Sequence, residues 1–192
     1  MYEQLRQNIT RKVSLTNSEF EQIEAVVKPL SIRKKSRVLT AGEICNYTIF
    51  VNKGCLRSFS VNSKGVESIV QFAFEDNWIS DLYSYVSEAP SLLHIESVED
   101  CDLLLLYKED MENLFNKIPM LERWKRLLLQ NAYVAVQRRL NSSLSVTAEE
   151  RYAELLHSHP DIANRVPLIH IASYLGITPE SLSRIRRQLL TK

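Results

Sequence analysis

Ten consecutive positions hold Thr178, Glu180, Ser181, Ser183, Arg184 and Arg187, inside the stretch PLIHIASYLGITPESLSRIRRQL that runs from Pro167 to Leu189. A guanidinium can clasp O6 and N7 of guanine in a bidentate pair, and a carboxylate can accept a hydrogen bond from the cytosine N4 amino group. A hydroxyl beside the amides of a helix start can hold a phosphate. These six residues are the candidate DNA contacts, with Glu180 and Arg184 for specificity and Thr178 and Arg187 for positioning. The competing reading is an ordinary helical hairpin with a solvated arginine face. Other chemistry has little to stand on, because HExxH, GxSxG and P-loop patterns are absent from the sequence. Cys45, Cys55 and Cys101 are dispersed and read as small core hydrophobes. His157 and His159 sit near a helix end, His94 has no partner in sequence, and His170 reads as a surface or domain-contact residue. No enzyme activity, no metal site and no cofactor are expected.

The elements that must position the six residues follow from local rules. Pro167 suits a first helical turn, where its missing amide proton costs nothing. Ile171, Ala172 and Leu175 then share one face, and the small side chain at 172 lets a second helix approach. Gly176 stands where the chain must turn sharply, in a left-handed backbone that only glycine adopts cheaply. Thr178 caps the next helix, Pro179 fills its first turn, and Leu182 and Ile185 return to the core. Helix, glycine turn, helix is a helix-turn-helix. A recognition helix presents its N-terminal turns to base edges, which is where Glu180, Ser181, Ser183 and Arg184 fall.

Upstream, the hydrophobic period changes twice. Thr16 and Glu19 form a capping box before a helix with Phe20, Ile23 and Val26 or Val27, which Pro29 ends. Residues 30–107 hold short runs rich in β-branched and aromatic residues, at 47–51, 55–61, 66–72, 92–98 and 101–107, separated by turn signals. This spacing predicts a β barrel or jelly roll. A short helix is predicted at 108–117 and a long one at 120–146, which at about 1.5 Å per residue reaches roughly 40 Å. The long helix carries two apolar stripes about 100° apart. Leu121, Trp124, Leu128, Ala132 and Ala135 form the first and are taken as the dimer seam; Leu129, Tyr133, Val136, Leu140 and Leu144 form the second. The alternative is a helix buried within its own fold. A second capping box, Thr147 with Glu150, restarts the chain into a helix bearing Tyr152, Leu155 and Leu156. The expected divisions are residues 1–119, 120–146 and 147–192, the last leaning on the long helix or on its partner.

Composition sets outer limits. The chain has 192 residues and 22.2 kDa, 45% hydrophobic and 24% charged, which allows a substantial core. With only 4 Gly and 6 Pro it is neither linker-rich nor collagen-like. Its longest aliphatic run, Leu103 to Leu106, is far short of the ~20 residues of a membrane span. The residues after Met1 lack a secretory signal and the cysteines fit a reducing setting, so the expectation is cytoplasmic. The net charge of +1 conceals an uneven distribution. Residues 66–110 hold eleven acids and one base, Lys108, whereas beyond Ser181 stand Arg184, Arg186, Arg187 and Lys192 with no acid. A polyanion would be met at that basic end.

With a β-rich N-terminal domain, a long helix and a C-terminal helix-turn-helix in this order, the chain resembles the Crp/Fnr family of bacterial transcription regulators, most sharply over YLGITPESLSRIRRQL, in the form common in Bacteroidetes-type members. The likeness implies an α+β fold: an N-terminal cyclic-nucleotide-binding-like β jelly roll, a long dimerisation helix, and a small C-terminal helix-turn-helix domain. It implies a homodimer reading a pseudo-palindrome, with Glu180 and Arg184 at the positions that contact bases. Its partners would be double-stranded DNA, a second copy and RNA polymerase, with no membrane. Three departures matter. Pro179 stands where many members place an arginine, so the half-site is expected to differ. The family's wing follows the recognition helix, but here only Thr191 and Lys192 remain, so it is expected truncated or absent. Members that bind cyclic AMP use a glycine–glutamate pair and, about ten residues later, an arginine–serine pair; the matching stretch is Ser80-Asp81-Leu82 and Ala89-Pro90-Ser91-Leu92, without arginine. Cyclic AMP in the usual mode is therefore not expected, and the effector, if any, is unidentified. The candidate pocket for an apolar or weakly polar effector is Phe72, Trp78, Ile79, Ser80, Asp81, Leu82, Tyr83, Ser91 and Leu92, against a filled core. The alternative function is a ligand- or protein-binding module with a vestigial helix-turn-helix.

Overall fold

The computed structural model describes residues 1–189 and the backbone of Leu190. The expectation about the wing falls on Thr191 and Lys192 and lies outside the described residues. The N-terminal part runs α1 (Glu3–Thr10), α2 (Asn17–Val26), β1 (Lys28–Ile32), β2 (Arg37–Leu39), β3 (Tyr47–Lys53), β4 (Leu56–Val61), β5 (Glu67–Ala73), β6 (Trp78–Ile79), α3 (Leu82–Ser87), β7 (His94–Ser97) and β8 (Cys101–Tyr107). The helical part follows as α4 (Lys108–Lys117), α5 (Met120–Ser145), α6 (Ala148–Ser158), α7 (Ile162–Arg165), α8 (Leu168–Leu175) and α9 (Pro179–Leu190).

Alternating side chains explain how the strands stack. The strands pair antiparallel as two four-stranded sheets, β1-β8-β3-β6 and β2-β7-β4-β5. Between them lies a core that includes Leu39, Ile49, Val51, Leu56, Ile79, Ile95, Leu103 and Leu105. Leu104 and Leu106 point the other way, with Phe50, into a layer built with Leu5 and Ile9 of α1, Phe20 and Ile23 of α2, and Leu114 of α4. A strand covered on both faces reads as a continuous apolar run, which accounts for the four leucines of β8. Trp78 Nε1 donates to Asn8 Oδ1 at 2.9 Å, fastening α1 to β6. The α1, α3 and α7 helices lack a strong sequence signal because each is four to eight residues long and is held by its neighbours.

The long helix corrects one expectation. Leu121 and Trp124 are fully buried against this outer layer and Leu128 packs against it, so these members of the first stripe belong to the chain's own core. Ala132 is half-buried and Ala135 exposed. The reason is position: α5 starts directly after α4, and its first turns join the apolar layer that α1, α2 and α4 build on the first sheet. The second stripe, Leu129, Tyr133, Val136, Leu140 and Leu144, remains exposed along the outer face of α5. No described helix is long and apolar enough to cross a membrane.

Candidate nucleic-acid interface

Local chemistry builds the hairpin of α8 and α9. Gly176 closes α8 at φ +68°, and Ile177 N–H returns to the Ala172 carbonyl at 3.0 Å, a Schellman-type ending. Thr178 Oγ accepts from Ser181 N–H at 3.2 Å, capping α9. Ile171, Ala172, Leu175, Leu182 and Ile185 are buried in a core shared with Tyr152, Leu155, Ile162 and Val166. With that face fixed inward, Thr178, Glu180, Ser183, Arg184 and Arg187 are exposed and Ser181 is half-buried. The Glu180 carboxyl is held below its ordinary value by its own backbone amide and by the Thr178 hydroxyl. It is therefore an anion at neutral pH, able only to accept hydrogen bonds. Glu180, Ser183, Arg184 and Arg187 stand on one side of one helix, with Arg184 one turn and Arg187 two turns beyond the carboxylate, and Thr178 and Ser181 at its start.

Tertiary contacts seat this hairpin on the outer face and edge of the second sheet as well as against the long helix, where the sequence offered only the long helix or a partner. Cys55, Phe74 and Val98 of the β domain join the hairpin's own core, and Phe72 packs on Tyr174 with ring centroids 5.2 Å apart. The Arg165 guanidinium bridges Glu75, at 2.7 and 3.0 Å, and Glu99; these two carboxylates raise its pKa further. Arg139 of α5 donates to the carbonyls of Ile69 at 2.9 Å and Tyr174 at 3.2 Å. Arg151 donates to Leu175 and Val146 carbonyls at 2.9 and 2.7 Å. His170 is a domain-contact residue, its Nδ1 lying 3.1 Å from Arg57 Nη1. Sequence reasoning missed these arginines. The available signal was Arg57, the one charged residue in the strand run 55–61, since a buried cation demands partners.

The nine residues proposed as an effector pocket do not converge. Phe72 belongs to the seam with the hairpin, Trp78 to the outer helical layer and Ile79 to the core between the sheets. Leu82, Tyr83 and Leu92 are exposed. Ser80, Asp81 and Ser91 do lie together, and the Asp81 carboxylate is the centre of a closed unit. It accepts from Tyr83 N–H at 3.0 Å, Ser84 N–H at 3.3 Å, Ser91 Oγ at 2.6 Å and Leu92 N–H at 3.2 Å. Lys108, remote in sequence, reaches the other end of α3, donating to Glu88 at 2.7 Å and to the Tyr85 carbonyl at 3.2 Å. Lys125 sits over the Tyr85 ring at 4.7 Å, and burial lowers its pKa to about 8. A cyclic phosphate would meet a buried carboxylate that already takes the four donors, so these residues do not fit a cyclic nucleotide. The described residues contain no group of three or more potential metal ligands.

Comparison with known proteins gives these features a context. The cyclic nucleotide-binding domain family matches residues 29–118. The chain is 22% identical over 185 residues to the anaerobic regulatory protein of Haemophilus influenzae, covering 90% of this chain and 71% of that one. Among solved structures, FixK2 from Bradyrhizobium japonicum superposes with a TM-score of 0.74 at 23% identity, covering 86% of this chain and 85% of that chain. The c-di-GMP responsive global regulator CLP of Xanthomonas campestris gives 0.72 at 13% identity, covering 92% of each.

Proposed function

We propose that this chain, a Crp/Fnr-type regulator by its cyclic nucleotide-binding domain and its fold, acts as a homodimer that reads a pseudo-palindromic DNA site with α9 and needs no cyclic AMP to do so. The observation that carries the reading is the exposed face of α9, where Glu180, Ser183, Arg184 and Arg187 stand outward from a helix locked by Leu182 and Ile185. Glu180 and Arg184 read base edges, and Thr178 and Arg187 hold phosphates. The exposed apolar stripe of α5, from Leu129 to Leu144, supplies the dimer seam, so that two copies of α9 meet half-sites about one helical turn apart. The closed Asp81 unit supports independence from cyclic AMP, since it leaves no place for a phosphate.

The experiment is in vitro selection from random duplex DNA with purified, ligand-free protein. Enrichment of a two-fold palindrome, with affinity falling steeply as salt rises, is the expected result. Enrichment that requires added cyclic AMP would overturn the effector reading. Silence with and without cell extract would favour a binding module with a vestigial hairpin.

A further inference from the structure

The second sheet ends at β5, and an open edge strand leaves amides and carbonyls unpaired. A side chain, rather than another strand, closes this one. Ser173 Oγ of α8 accepts from Ile69 N–H at 3.1 Å and donates to the Glu67 carbonyl at 2.9 Å. Three residues earlier, and so on the same helical face, His170 Nδ1 lies 3.1 Å from Arg57 Nη1. Arg57 is buried on β4, bonded to Glu67 and to Glu96 at 2.7 Å, with its guanidinium 4.1 Å from the Phe59 ring centre. A guanidinium can only donate. His170 Nδ1 must therefore offer a lone pair, which puts the ring proton on Nε2. A proton on Nδ1 would set two cationic donors against each other.

We propose that Arg57, His170 and Ser173 form an acid-sensitive seat that positions the DNA-reading hairpin on β5, closed without an effector while His170 is neutral and opened when His170 takes up a proton. The charged groups facing His170 are Arg57 from β4, Glu67 from β5 and Glu96 from β7. Both carboxylates are committed to Arg57, and Glu96 also faces Arg37 of β2 at 3.5 Å. Burial first, and Arg57 second, lower the His170 pKa from its ordinary 6.5. At the far end of the seam, His159 stacks on Phe74 at 4.5 Å, and burial and Arg165 lower its pKa as well. The sign follows. Above 6.5 the docked and free hairpins both hold neutral histidine and docking is unaffected by pH. Below 6.5 the free hairpin binds a proton that the docked one refuses, so docking weakens as the solution is acidified.

The proposal bears on function through the DNA reading above, but its test does not need DNA. The Ile69 amide, bonded across the seam to Ser173, reports docking directly by hydrogen exchange in the full chain. Wild-type Ile69 should be protected near pH 7.5 and lose up to about tenfold of that protection near pH 5.5, after correction for intrinsic exchange, because at that pH an undocked ring of ordinary pKa is about nine-tenths protonated while the docked ring resists the proton. Ser173→Ala should unprotect Ile69 at both pH values while the β8 amides stay protected. His170→Asn, which accepts without titrating, should keep the protection and remove most of its pH dependence. Unchanged Ile69 exchange in Ser173→Ala, or a full pH response in His170→Asn, would overturn the seat. If exchange behaves as expected and no DNA is bound, the seat stands and the DNA reading falls. Tight, pH-independent DNA binding with Ile69 unprotected would remove the positioning role and leave the DNA reading intact.

Discussion

Arg184 and Arg187 are both exposed on α9, yet opposite readouts distinguish them. Arg184→Ala is expected to weaken specific binding by about 1–3 kcal/mol and to relax one base position in a selection. Arg187→Ala should weaken binding evenly across sequences and reduce the salt slope by about one, measured by titration at several salt concentrations. Asp81 makes a different claim at the same scale. Its carboxylate takes four donors, so Asp81→Ala strands the amides of Tyr83, Ser84 and Leu92 and leaves the Ser91 hydroxyl only the Leu93 carbonyl. Urea unfolding should show a loss on the order of 2 kcal/mol. Calorimetry with cyclic AMP should stay silent in wild type and variant alike, since no arginine enters the unit in either.

Two glycines separate backbone conformation from close approach at the scale of the element. Gly176 ends α8 at φ +68°, with no atom within 4 Å of where a Cβ would stand. Gly176→Ala should therefore cost only the left-handed backbone, about 1–2 kcal/mol, read by thermal or urea denaturation. Gly54 joins β3 to β4 at φ +96°, and a Cβ there would stand 2.6 Å from Cys101 Sγ and 2.7 Å from the Asp100 carbonyl. Gly54→Ala must push β8 away as well as strain the turn, so the same measurement should report a clearly larger loss. Helix starts obey an equally local rule, and the two capping boxes close as their sequences require, Thr16 with Glu19 and Thr147 with Glu150.

The whole molecule divides the labour of α5 between its two ends. Its first turns are core: Trp124 is 0% exposed, and Trp124→Ala should cost about 3–5 kcal/mol of stability in denaturant. Its later turns carry Tyr133, Val136, Leu140 and Leu144 in the open. Leu140→Asp is therefore expected to yield a folded monomer in sedimentation velocity, with affinity for a full palindrome reduced to that of a half-site. A dimer that survives this change would move the seam elsewhere. The hairpin is tied to the second sheet and to α5 at once, so its orientation is a property of the assembled chain rather than of the hairpin itself.

Wherever a rule acts within a few residues, the sequence alone decided the outcome. Gly176, the Thr178 cap and the apolar spacing of Leu182 and Ile185 determined which face of α9 turns outward, because backbone sterics and helical period are local. The strand runs and turn signals likewise determined a β domain. The choice between the two stripes of α5 was open, since both satisfy the same period and only the layer of α1, α2 and α4 selects one. The effector pocket was misread for a related reason: Phe72, Trp78 and Ile79 are near neighbours in sequence but enter three different cores. Arg57 and His170 meet across 113 residues, and no local rule couples them. Only the tertiary structure could bring a buried cation on β4 against a neutral ring on α8, because that contact exists solely where the hairpin covers the edge of the sheet.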